Sequence, residues 1–200
     1  LLNKLQEMLG FEYEGGTIQD MEYSALTTSL TTDKLDVVAA ALCKTSERQE
    51  VMDFSDVYCD SGLTIMVNKE ANAGVTSEAD LAGKKVAVET GTASDYYITA
   101  RVEAGEDITV ERNKAITTAY LSLEQNKVDA VIQDVPGANF YVKQTADTKL
   151  QVLDLSFYQG ESPYAVAFSK NFKWQKEFKD ALAQLQEEGY LDELFNKWCK

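Results

Sequence analysis

The chain has 200 residues, enough for one domain or two small ones, and its 33 acidic and 19 basic side chains give a formal charge of −14. That charge repels phosphate backbones and anionic membranes, so neither nucleic acid nor a membrane surface is an expected partner. The chain contains no histidine, which excludes histidine acid–base catalysis, Ser-His-Asp triads and histidine-ligated zinc.

The opening LLNKLQEMLG puts Leu1, Leu2, Leu5, Met8 and Leu9 on one helical stripe, with Gly10 as its C-cap. FEYE (11–14) alternates as a strand does, and Gly15-Gly16 end it. Residues 23–30 read as a helix. DVVAAAL (36–42) is a short, continuous apolar run, the pattern of a buried parallel strand. In CKTSERQE, Ser46 with Gln49 three positions later predicts a capping box and a short helix. DVYCDSGLTIMVNKE reads as one apolar strand leading into a second unit.

That unit alternates strand and helix: KKVAV (84–88), SDYYITARVEAG, DITVER, AITTAYLSLEQ and DAVIQD (129–134). LSFYQGESPYAVAFSK (155–170) is a strand-like return, and two amphipathic helices close the chain. KLDVV (34–38) and KVDAV (127–131) each follow a helix of similar length, a weak internal similarity. Alternating elements argue an α/β fold with parallel sheets and helices on both faces. The expected organisation is two α/β lobes joined by a two-strand hinge, lobe 1 from residues 1–58 and 163–200 and lobe 2 from 59–162. The cleft between the lobes is the default ligand site. No apolar run approaches the ~18 residues of a membrane span.

Cys43, Cys59 and Cys199 form no CxxC spacing, so a structural zinc or thiol-redox centre is not expected. They read as small buried hydrophobes, with a Cys43–Cys59 or Cys59–Cys199 disulfide left open.

Three strand-to-helix junctions carry binding chemistry. Arg48 lies in the first turns after DVVAAAL, where a planar guanidinium can grip a carboxylate with two hydrogen bonds; the alternative is a surface arginine paired with Glu47 or Asp53. In ETGTASDYY, Gly91 allows a tight turn and Thr92 or Ser94 caps the next helix, with Asp95 completing a box from Thr92. The N–H groups of that helix start suit an anion. Asp134 ends an apolar strand before Val135-Pro136, and a carboxylate there suits an ammonium. Together the three sets complement a zwitterionic α-amino acid.

The stretch AALCKTSERQEVMDFSDVYCDSG, with VAVETGTASDYY, KVDAVIQDVPGANFYV, SPYAVAFSK and GYLDELFNKW, resembles the polar amino-acid-binding proteins of ABC importers, nearly end to end. The resemblance implies a periplasmic-binding-protein-like fold and roles for named residues. Arg48 would clamp the ligand α-carboxylate, helped by the backbone N–H groups of Cys43 and Ala93, with Thr92 close by. Asp134 and the Ala41 carbonyl would hold the α-ammonium, and Glu89 would sense the ligand side chain. Cys43 departs from the Ser or Thr usual there, keeping the N–H but offering only a weak side-chain donor. Ala93 stands where Thr or Gly is common. The chain also opens inside the family's first helix, so the first strand of lobe 1 is expected to be missing and an apolar edge left unpaired.

The implied role is a monomeric extracytoplasmic solute-binding protein, periplasmic or lipid-anchored. It would capture a polar or basic L-amino acid for the permease of an ABC importer, without enzyme activity, cofactor or metal. The alternatives are a membrane receptor's sensor domain, which would continue into a span after Lys200, and a dehydratase-like enzyme on the same fold. The closing NKWCK reads as a natural stop, which favours the binding protein.

Overall fold

The computed structural model describes residues 1–71 and 73–199, leaving out the Cys199 side chain. The chain divides into two compact units, Leu1–Asp60 with Glu161–Trp198, and Ser61–Gly160. It therefore passes between units twice, at 60/61 and at 160/161.

In chain order the first unit begins with α1 (Leu2–Leu9), a 3-10 turn (Glu14–Gly16), α2 (Tyr23–Thr31), β1 (Val37–Val38), α3 (Ser46–Val51) and β2 (Asp53–Cys59). The second unit holds β3 (Leu63–Asn68), a 3-10 turn (Glu78–Leu81), β4 (Lys85–Glu89), α4 (Ala93–Glu103), β5 (Thr109–Asn113), α5 (Ile116–Glu124), β6 (Ala130–Asp134), α6 (Val135–Gln144) and β7 (Leu150–Val152). β8 (Tyr164–Phe168), α7 (Gln175–Glu187) and α8 (Tyr190–Cys199) return to the first unit.

The first unit is built around β8, whose five residues are all buried in a three-stranded sheet ordered β1-β8-β2. Successive side chains of a strand point to opposite faces. Val166 and Phe168 accordingly join Leu5, Phe178, Leu182, Leu185 and Leu191 on one side. Ala165 and Ala167 join Leu26, Leu30, Leu42, Met52 and Phe54 on the other. The Leu1, Leu2, Leu5, Met8 and Leu9 stripe of α1 packs into the first of these clusters as its spacing predicts. α1 stops at Gly10, which takes a left-handed φ of 70° and donates its N–H to Gln6 O at 2.8 Å.

Several local expectations give way here. FEYE forms no strand: Phe11 packs on the rings of Phe178 and Tyr13, and the chain then curls through the 3-10 turn at Glu14–Gly16. Of DVVAAAL only Val37–Val38 is strand, and it runs antiparallel to β8, not parallel to a neighbour. Ala41, at φ 53°, bends the run away, and it meets β8 again only at the single Cys43–Tyr164 bridge. DVYCDSGLTIMVNKE is two strands in different units. β2 carries a register shift between Phe54 and Val57, where the Ser55 hydroxyl replaces a ladder partner by accepting the Val166 N–H at 3.0 Å. LSFYQGESPYAVAFSK shrinks to β8, because Phe157 pairs instead with Leu63 of the second unit.

β1 is an edge strand, and no described residue pairs with its outer side. A groove of about 280 Å³ runs along it, with Leu2, Phe11, Leu26, Val38 and Phe178 among its lining residues.

The second unit has a five-stranded sheet ordered β5-β4-β6-β3-β7. β4 runs parallel to β5 and β6, as helical crossovers require. β3 lies antiparallel to both of its neighbours, β6 and β7, so the sheet is mixed, not the parallel one expected. β3 arrives directly from the other unit, without a crossover helix to set its direction. Met66, Ala87 and Val131 from three strands pack against Tyr120 and Leu123 of α5 and Ala138 of α6. This core fixes β4 and β6 side by side, with their C-terminal ends at the same edge.

Neither Cys43 nor Cys59 is in a disulfide. Each pairs with Tyr164, from opposite sides of β8. Two strand spacings of ~4.8 Å therefore separate them, beyond the ~7 Å reach of a disulfide. The Cys59–Cys199 alternative lies outside the described residues.

Candidate functional site

In the first unit, three of the candidate residues come together. Thr45, not Ser46, caps α3: its hydroxyl accepts the Arg48 N–H at 3.3 Å. The Gln49 side chain bonds the Thr45 carbonyl at 3.3 Å instead of closing a box with Ser46. The cap turns Arg48 inward. Its residue is 6 % exposed, so it is not a surface arginine, and its Nη1 donates to the Cys43 carbonyl at 2.8 Å. Cys43 is buried, held between its bridge to Tyr164 and the neighbouring Lys44 N–H bond to the Pro163 carbonyl at 2.9 Å. Ala41 takes the left-handed conformation with a side chain, a strained state that persists only where its surroundings enforce it. Its carbonyl accepts from the Tyr23 hydroxyl at 3.5 Å. Tyr23 escaped the sequence reading, since a tyrosine at a helix start carries no signal of what its hydroxyl will meet.

In the second unit, the C-terminal ends of β4 and β6 bring Glu89 and Asp134 to one edge. The parallel register pairs Val86 with Ala130 and Ala87 with Val131, which sets Glu89 beside Gln133 and next to Asp134. Both carboxylates act on the Tyr120 hydroxyl: with burial as the larger cause, Tyr141, Glu89 and Asp134 push its pKa far above the ordinary phenol value. Tyr120 donates to the Gln133 amide oxygen, and its ring stacks on Tyr141 with centroids 4.1 Å apart. Gln133 in turn lies over Gly137, where an added Cβ would stand 2.5 Å from its amide nitrogen.

Glu89 is half-buried rather than at an exposed rim. Burial pushes its carboxyl above the usual range, opposed by a hydrogen bond from the Ile116 N–H at the start of α5. Asp134 occupies the N-cap position of α6 yet makes no side-chain cap bond, and its Oδ1 is buried.

The third junction follows β4. Gly91 takes φ 78°, the left-handed state glycine reaches without strain. Thr92 caps α4, accepting the Asp95 N–H at 3.3 Å and donating its hydroxyl to the Glu89 carbonyl at 2.8 Å. The Asp95 carboxylate reaches back to the Gly91 N–H at 3.0 Å, one residue before the expected box partner. Ala93, the first residue of α4, is buried. The first N–H groups of a helix have no partner within it, and they face negative charge favourably.

Among the described residues no cluster of His, Cys, Asp and Glu suits a metal, and no helix is long and apolar enough to cross a membrane. The chain matches the bacterial extracellular solute-binding proteins, family 3, over residues 1–200. It belongs to this family. Among curated relatives, this family-3 binding protein is 29 % identical to the arginine-binding extracellular protein ArtP of Bacillus subtilis over 205 residues, covering 99 % of the chain and 75 % of the relative. It is 31 % identical to the L-cystine-binding protein TcyJ of Escherichia coli K12 over 196 residues, covering 98 % and 70 %. Its fold superposes on an ancestral arginine-binding protein bound to arginine with a TM-score of 0.88 at 28 % identity, covering all of this chain and 85 % of that one. The fold is therefore periplasmic-binding-protein-like, as the sequence implied.

Proposed function

We propose that this solute-binding protein captures an L-amino acid with a polar or basic side chain and delivers it to the permease of an ABC importer. Arg48 takes the α-carboxylate in a two-hydrogen-bond grip, with the N–H groups of Cys43 and Ala93 and the Thr92 turn. Asp134 and the Ala41 carbonyl take the α-ammonium. Glu89 meets the ligand side chain, favouring a cation. The protein works as an extracytoplasmic monomer and carries out no chemistry on its ligand. The observation that carries this reading is the inward-turned Arg48, at 6 % exposure in a chain of formal charge −14. A buried guanidinium is retained where it has an anion to meet. Relatives named for binding arginine and cystine support the same ligand class.

A thermal-shift screen over the twenty L-amino acids tests it. A specific ligand at a hundred times its Kd stabilises the folded state by about 2.7 kcal/mol, so one or a few amino acids stand out. A flat response to all twenty sinks the reading.

A further inference from the structure

The turn after β4 is held by more than its cap. Asp95 is 7 % exposed and its two oxygens have separate duties. Oδ2 accepts the Gly91 N–H at 3.0 Å, and Oδ1 accepts the Arg112 Nε–H at 2.8 Å. Arg112 Nη2 also reaches the Thr99 hydroxyl at 2.6 Å, one turn further along α4. The β4–β5 register pairs Val88 with Arg112 and Glu89 with Asn113, and the Asn113 carbonyl accepts the Thr90 N–H at 2.8 Å. The guanidinium is thereby fixed beside the turn by the sheet itself.

This arrangement answers a conflict in the proposed site. A carboxylate in the first turn of a helix is drawn to the same positive end that would attract a ligand carboxylate. Asp95 supplies the oxygen that shapes the Gly91–Thr92 turn, but its charge alone would repel an arriving anion. Arg112 lies on the far oxygen and offsets that charge.

We propose that Asp95 and Arg112 are a positioning pair for carboxylate binding: Asp95 holds the Gly91–Thr92–Ala93 turn in shape, and Arg112 cancels its charge so that the start of α4 stays attractive to the ligand's α-carboxylate. The inference rests on the amino-acid-binding reading above. It adds two residues, neither of which touches ligand, and assigns the arginine an electrostatic task distinct from holding the fold.

Charge compensation separates the pair from a purely structural ion pair. The test titrates each of the twenty L-amino acids into wild type and carries the tightest binder through three variants, Arg112→Met, Asp95→Asn and the double variant. Circular-dichroism melts run alongside. Arg112→Met weakens binding by about tenfold, the size of an uncompensated charge at a helix end. That deficit shrinks as salt rises from ~0.1 M towards 1 M and the screening length falls from about 10 to about 3 Å. Asp95→Asn, whose amide oxygen can still accept the Gly91 N–H, binds no more weakly than wild type. The double variant returns to within about threefold of wild type, because removing the charge removes the need for its counter-charge.

A merely structural pair predicts the reverse, a double variant at least as weak as Arg112→Met. That result overturns the inference, as do an Arg112→Met affinity within twofold of wild type and a weakened Asp95→Asn. Because Asp95→Asn is judged on its own, a failure of Arg112→Met to fold still leaves the proposal open to refutation. If wild type itself binds none of the twenty, the functional reading falls and this inference falls with it, a failure visible before any variant is compared.

Discussion

Replacing Arg48 with alanine removes a guanidinium that is 6 % exposed and whose Nη1 donates to the Cys43 carbonyl at 2.8 Å. Two costs follow, and they are separable. The Cys43 carbonyl loses a buried donor, worth about 1–3 kcal/mol of folding stability. A ligand carboxylate loses its buried counter-charge, worth about 2–5 kcal/mol of binding. At about 1.4 kcal/mol per decade, the second raises Kd roughly 30-fold to several thousand-fold. Arg48→Lys keeps the charge but not the planar fork, so its Kd falls between wild type and Arg48→Ala. Isothermal titration calorimetry reads the Kd, and a denaturant melt reads the stability. A stable Arg48→Ala protein that binds its amino acid with near wild-type affinity refutes the carboxylate clamp.

Four further outcomes are expected. Glu89→Gln should weaken binding of arginine and lysine more than that of glutamine, and an equal effect on all three would remove the side-chain role. A bound cation favours the ionised carboxylate, so Glu89 has a lower pKa in the complex than in the free protein. Affinity for a cationic ligand is then full above the burial-raised pKa of the free protein and falls as pH drops through it, starting above the ordinary glutamate value of ~4.3; Glu89→Gln abolishes that fall, as read by titration at a series of pH values. Asp80 accepts hydrogen bonds from the backbone and hydroxyls of Thr76 and Ser77, which hold its carboxyl down to about 2. Its contribution to stability is present above the unfolded aspartate pKa of ~3.9, so the melting-temperature gap between wild type and Asp80→Asn holds above that value and closes as pH falls towards about 2. Gly62→Ala would place a Cβ 2.5 Å from Ser156 Oγ and 3.0 Å from the Phe157 carbonyl, so a denaturant melt should show a loss of about 1–3 kcal/mol.

Helices and buried strands with strong periodicity were legible in the sequence: the Leu1–Leu9 stripe and the Gly10 stop stand where their spacing puts them, and the strands expected at 84–88 and 129–134 form within one residue of those bounds, at Lys85–Glu89 and Ala130–Asp134. What escaped was decided by contacts distant in sequence. FEYE has the alternation of a strand, but Phe11 gains more from the ring of Phe178, 167 positions away, than from an edge ladder. Ala41 reads as one more residue of an apolar run, and only the β8 pairing on either side of it shows why it adopts a left-handed φ. Thr45 and Ser46 are adjacent residues of capping type, and it is Thr45 whose hydroxyl accepts the Arg48 N–H. Arg48, Asp134 and the Gly91–Thr92 turn stand at the strand-to-helix junctions where the sequence puts them, because strand end and capping residue are both local signals. Tyr120, Gln133 and the Asp95–Arg112 pair were not legible, because each depends on which strands are neighbours in the sheet.

The central claim is that both charges of an α-amino acid are read, the carboxylate by Arg48 and the ammonium by Asp134. The most direct measurement compares, by calorimetry, the amino acid that stabilises the protein most with its decarboxylated amine and its N-acetyl derivative. The account predicts that the parent binds and that each derivative, lacking one charge, loses about 2 kcal/mol or more. Binding of either derivative at parental affinity would contradict it.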